Sequence, residues 1–226
     1  MSSPRLTARV AGILYFVTHV TSVGAVALYG GSAFDPEAAL AGRTSVLTGG
    51  LLEVILAAAV VGSAAALYPL LRSFDRGLAA AYVALRTLEA SVIMAGVVAI
   101  LPTVARPATT VAAGLDPGVT AGLHLLHDWT FAVGPGLISP INTVVIAWLL
   151  WRHRMLPRWI PALGLIGAPL VGVVNLGVLF GITQVIPVAV IPIFAWEISL
   201  ATYLIARGLP AARPVPAPVP LPIPLP

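Results

Sequence analysis

Six apolar runs, each bounded by charged or helix-breaking positions, divide the chain at 10–29, 46–71, 77–101, 117–151, 161–182 and 187–206. A hydrocarbon core about 30 Å thick needs roughly 20 apolar residues of helix, at about 1.5 Å of rise for each, and every run reaches that length. The pattern predicts an all-α integral membrane bundle of six transmembrane helices. The fourth run is longer than a bilayer requires. Asp116-Pro117 supplies a side-chain cap followed by proline at the first helical position. Helix is therefore expected from 117 to 151, with its first turns standing in the interface or kinking at the glycines and prolines further on.

Composition agrees, because 59% of the 226 residues are hydrophobic and 9% charged, too little polar surface to cover a water-soluble globule. Charge then orients the bundle. The twelve basic residues are all arginine. With a cytoplasmic N-terminus, Arg5, Arg9, Arg72, Arg76, Arg152, Arg154, Arg158, Arg207 and Arg213 lie inside and only Arg43 and Arg106 outside. That asymmetry predicts both termini in the cytoplasm and a multi-pass protein of a bacterial cytoplasmic membrane. Asp35, Glu37 and Asp116 fall in short outer loops, which leave no room for a soluble catalytic domain. The arginines do not gather on a soluble segment, which argues against a nucleic-acid partner. The lack of cysteine excludes disulfides, thiolate ligands and a cysteine nucleophile.

Both ends of the chain need separate readings. Arg5, Arg9, an apolar run and Ala25-Val26-Ala27 imitate a cleavable secretory signal. Thr18, His19, Thr21 and Ser22 are polar for such a segment, and the apolar character resumes past the triplet, so an uncut first helix is expected. From 209 to 226 the tail carries proline at every second position after Pro214. A run of this kind cannot donate the hydrogen bonds of helix or sheet and should be an extended, disordered cytoplasmic tail. A proline-recognising partner is its sharper alternative.

Four charged side chains lie inside apolar runs: Glu53, Arg86, Glu89 and Glu197. Each costs about 2.5–3.5 kcal/mol at mid-helix, while one Leu, Ile, Phe or Val returns only about 0.3–0.6 kcal/mol, so the four must be sheltered within the bundle. Arg86 and Glu89, three apart on one helix face, can pair. Glu53 and Glu197 become candidates to face Arg86 across the bundle, and His19 could join a buried cluster or bond its Thr and Ser neighbours. Such charges can be structural glue. Alternatively, three carboxylates around one arginine leave an acid in excess, able to relay a proton.

A second cluster opens the fourth helix, where His124, His127 and Asp128 are spaced to crowd one side near the outer surface. Two histidines and an aspartate can ligate zinc, yet the spacing is not that of a zincin and two of the three are adjacent. A water-accessible, interfacial helix start anchored by Trp129 is expected instead, with no closed metal site and no cofactor. Gly134, Pro135, Gly136 and Pro140 mark a kink or broken helix, tolerated where backbone lines a cavity or is buried in protein.

The stretches RVAGILYFVTHV, ALYPLLRSF, LRTLEASVI, LPRWIPALGLIGA and WEISLATYLIARG resemble the bacterial membrane family catalogued as domain of unknown function 4386, over most of residues 5–208. The resemblance implies an uncleaved multi-helix membrane protein and supplies no reaction, substrate or catalytic residue. The proline tail and the histidine-rich start of the fourth helix stand outside it. A non-catalytic membrane partner or sensor-type subunit, working with the lipid bilayer and a membrane protein or a second copy, requires the fewest assumptions. A small proton-linked transporter or channel and an intramembrane metal-dependent enzyme are the alternatives.

Overall fold

The computed structural model describes residues 3–30, 42–104, 116–184 and 186–210. The expectations placed on Asp35, Glu37, Arg106, Arg213 and the prolines from 214 onward lie outside the described residues. Helices α1 (Pro4–Tyr29), α2 (Arg43–Leu71), α3 (Arg76–Val104) and α4 (Pro117–Val133) are followed by a π-helical turn at Gly134–Ile138. Then come α5 (Ser139–Arg152), α6 (Trp159–Leu179), a short 3-10 turn at Pro187–Val190 and α7 (Ile191–Ala206). Six spans are long and apolar enough to cross a membrane, because α4, the π-turn and α5 make one, Pro117–Arg152, and the 3-10 turn extends the last to Pro187–Ala206. No strand occurs among the described residues. The chain is a multi-pass, all-α membrane protein.

Local chemistry sets the helix ends. Ser3 accepts a hydrogen bond from the Leu6 backbone N–H at 3.3 Å, and Pro4 opens the helix, so α1 begins well before the apolar run at Val10. The expected Asp116 cap is present, accepting from the Gly118 N–H at 2.8 Å. At the other ends arginines close orphaned carbonyls. Arg43 Nε donates to Val104 O at 2.8 Å, and Arg9 Nε to Ile205 O at 3.3 Å. Helix α6 stops at Leu179 rather than Ile182 because Gly181 takes the left-handed φ of 66° that turns the chain back.

The helices close into a ring in which α1 packs on α2 and α7, α2 on α3, α3 on α4 and α5, and α6 between α5 and α7. Large apolar side chains face outward on every span, Val20, Val98, Ile166 and Val173 among them, as lipid demands and water would not. The half nearer Arg72, Arg76, Arg152 and Arg207 is filled by one continuous core including Leu67, Leu71, Tyr82, Leu149, Leu150, Leu200 and Leu204. There α1 and α7 touch backbone to backbone. A Cβ on Gly12 would stand 2.7 Å from Ala201 O, so only glycine lets the helices meet this closely.

Candidate functional site

Inside the ring the polar side chains form two groups at different depths. The first surrounds Arg86 on α3, whose Nη1 donates to Glu89 Oε2 at 3.1 Å and whose Nη2 donates to Ser63 Oγ on α2 at 3.3 Å. Asn142 of α5 donates to the same Glu89 oxygen at 2.6 Å. Below the guanidinium lies the Tyr15 ring, 5.6 Å from the guanidinium carbon to its centroid, with the Tyr15 and Tyr82 hydroxyls hydrogen-bonded at 2.6 Å. Thus the expected Arg86–Glu89 pair is present, sheltered by three neighbouring helices. Arg86 Nε has no hydrogen-bond partner among the described residues.

Glu53 and Glu197 do not pair with that arginine. The Ser63–Arg86 contact fixes the antiparallel register of α2 and α3, which brings Glu53, ten residues further along α2, level with Gly96, ten residues along α3. At that level α4 comes in so closely that a Cβ on Gly96 would collide with the Thr130 hydroxyl and press on the His127 ring. Glu53, fully buried, therefore meets His127, its two oxygens 3.1 and 3.2 Å from Nε2.

The water-accessible histidine cluster expected at the start of the fourth helix is corrected in the same way. His124 and His127 are buried, at 2% and 3% exposure, because their face of α4 packs on α3 and reaches the Glu53 side chain of α2. His124 Nε2 donates to Thr103 Oγ1 at 3.1 Å, since that hydroxyl spends its own proton on Ile100 O at 2.7 Å. Asp128, one residue or about 100° further round the helix, turns toward the bilayer side beside exposed Trp129. Its carboxylate stays 3.6 Å from His127 Nδ1, beyond hydrogen-bond reach. The three residues do not crowd one side. Among the described residues no three of His, Asp or Glu are placed to hold a metal ion.

His19 and Glu197 form the remaining pair, Nε2 to Oε2 at 3.1 Å between α1 and α7. They stand on the wall of a cavity of about 420 Å³. Arg86 and Glu89 border its floor, Leu56, Val60 and Ile93 its apolar sides, and Val23, Val190 and Phe194 its mouth. The mouth residues are themselves exposed, so the cavity opens between α1 and α7, away from the end where Gly12 holds those helices together.

The expected helix break is a π-turn instead, and prolines explain it. Pro135 has no N–H for Phe131 O and Pro140 none for Gly136 O, so the α-pattern fails twice within one turn. The chain skips a residue, with Ser139 N–H donating to Gly134 O, and continues as helix. Gly136 O is rescued from α6 by Asn175 Nδ2 at 2.8 Å. Pro135 and Ser139 border the cavity. Sequence reasoning missed Ser63, Tyr15 and Asn175. For Asn175 a signal existed, as the sole amide in α6 opposite a carbonyl that Pro140 must orphan.

Residues 10–208 match the family model described as Domain of unknown function (DUF4386). No curated protein matches the chain, and no solved structure does.

Proposed function

From the premise that the chain belongs to the DUF4386 family, whose description carries no activity, we propose on geometry alone a non-catalytic, ligand-binding membrane subunit. The observation that carries this reading is the cavity of about 420 Å³ set over a sealed half-bundle, with His19 and Glu197 on its wall. Binding sites are typically concave and mostly apolar, with a few placed polar groups. An occupant would enter from the membrane side and meet hydrocarbon at the mouth and ionisable groups at the base. A proton-linked transporter is the second reading, favoured by the π-turn at the cavity wall, since such turns gather at functional sites and can shift register.

The chain has no cysteine, so a single thiol reports on the cavity without background. Ser22→Cys, on the wall, should react with N-ethylmaleimide in lipid nanodiscs, while Ser63→Cys, fully buried beside Arg86, should not. Eight-carbon amphiphiles should slow the Ser22→Cys reaction. Equal labelling with and without every such occupant would remove the ligand-binding reading.

We place the arginine-rich end in the cytoplasm of a bacterial cell, supported by the nine arginines on that side against Arg43 and Arg106 on the other. A reporter fused at residue 74 should read cytoplasmic, and an external reading there reverses the assignment.

A further inference from the structure

Four ionisable side chains border the cavity, and the two pairs they form are not equally committed. Arg86 and Glu89 are closed on each other, with side chains only 3% and 5% exposed. Ser63, Asn142 and the Tyr15 ring occupy their flanks. Arg86 Nη1 and Asn142 Nδ2 both donate to Glu89 Oε2, so the carboxylate serves as acceptor to both and its charge offsets that of the guanidinium. His19 and Glu197 are 10% and 21% exposed and stand behind Phe194, whose ring meets the imidazole edge-on at 4.8 Å.

Hydrogen-bond geometry counts the protons on this second pair. His19 Nδ1 lies 2.8 Å from the Tyr15 carbonyl oxygen, which only accepts, so Nδ1 carries hydrogen. Nε2 then faces a Glu197 oxygen at 3.1 Å, and two lone pairs do not hold that distance without a proton between them. Whether imidazole or carboxyl carries it, the pair is neutral with the proton and singly negative without it. The charged and titratable groups around the pair are Tyr15 from α1 and Tyr82, Arg86 and Glu89 from α3. The other elements lining the cavity offer it Leu56, Val60, Pro135, Ser139, Val171 and Val190, none of which titrates.

With its shared proton the site is therefore neutral. A cation arriving in a space of low dielectric would leave an uncompensated charge, a large cost, unless the proton departs as it enters. An anion has no such compensation, because Arg86 is already paired and His19 already shares the proton. The hydrocarbon mouth at Val23, Val190 and Phe194 suits an apolar tail. We infer that the cavity binds a lipophilic organic monocation in exchange for the proton shared by His19 and Glu197. On binding, the Glu197 carboxylate faces the cation, His19 stays neutral with Nδ1–H on Tyr15 O, and the proton passes to solvent. The inference rests on the ligand-binding reading above and adds the charge of the ligand and a stoichiometry. It also supplies the coupling that the transporter reading requires.

Three probes with one chain length and different heads separate the cases: octyltrimethylammonium, octyl sulfate and octanol. In weakly buffered nanodiscs of the full chain, the permanently charged cation should bind saturably and release about one proton for each cation bound. Protein-free discs should release none. Glu197→Gln should abolish the release and weaken cation binding about tenfold, with His19→Gln as the second variant should the first fail to fold. Cation binding by the wild-type protein without proton release overturns the exchange. So does tighter binding of octyl sulfate, which would assign the site to the unpartnered Arg86 Nε, and either result leaves the cavity as a ligand site. Saturable binding of none of the three overturns both readings.

Discussion

Two histidines meet two glutamates inside this bundle at the same 3.1 Å, yet one pair is walled in and the other stands beside open space. His127 and Glu53 have side chains 4% and 0% exposed, with the Tyr29 and Phe131 rings 5.1 and 5.5 Å from the imidazole. His19 and Glu197 have Phe194 on one side and the cavity on the other. The hydrogen bonds differ as well. Both Glu53 oxygens lie on His127 Nε2, so that nitrogen donates and the carboxylate accepts twice. In the cavity pair one oxygen faces a nitrogen whose partner across the ring has already given its hydrogen to Tyr15 O. Identical residue types therefore make a structural clamp in one place and an exchangeable proton store in the other. Packing makes that distinction, since a sealed pair has no route for solvent or ligand.

The sharpest way to break the comparison is to swap each glutamate for its amide. In Glu53→Gln, His127 either keeps its hydrogen on Nε2, which leaves the new NH2 group facing a second donor, or moves it to Nδ1, which has no hydrogen-bond partner among the described residues, so one buried donor is unmatched in either tautomer. Leaving buried polar groups unmatched costs about 2–3 kcal/mol, which would lower the heat-unfolding midpoint by roughly 5–10 °C. Replacing both partners, Glu53→Leu with His127→Leu, should recover most of that loss, as apolar substitutes for buried pairs often do. A Glu53→Gln protein as stable as wild type, measured in the same nanodiscs, would dissolve the clamp reading.

Sequence alone revealed the spans and the Arg86–Glu89 pair, three apart on one helix, and not the pairings between helices. Hydropathy counts residues along one helix, so the six crossings and the Asp116 cap were legible, and the patches such as LRTLEASVI resembled the family to which the chain proves to belong. Which charge meets which depends on register between helices, a quantity no single run of residues contains. Mid-span burial alone makes Glu53, like Glu197, a candidate to face Arg86. The Ser63–Arg86 contact and the Gly96 gap instead carry it to the level of His127. The histidines of α4 look water-accessible from sequence, near a helix start and next to Asp128, but spacing does not say which face the neighbours cover. The glycines and prolines from Gly134 to Pro140 read from sequence as a kink or broken helix, whereas the helix runs on through them. Its form, a π-turn held by Asn175, needed α6 in view.

The smallest stability effect belongs to Glu197→Gln, and its smallness sharpens the contrast. The Gln NH2 group can donate to the unprotonated Nε2 of His19, while Nδ1–H stays on Tyr15 O. The hydrogen bond survives and only the ionisable proton is lost. The folded protein should therefore change in stability by less than about 1 kcal/mol, well below the cost at Glu53. The expected signature is a midpoint close to wild type, with the proton release that accompanies octyltrimethylammonium binding gone. A loss of stability as large as that of Glu53→Gln would mean that His19 and Glu197 also act as a clamp. The two pairs would then differ in exposure but not in role, and the cavity would have to recognise its occupant through Arg86.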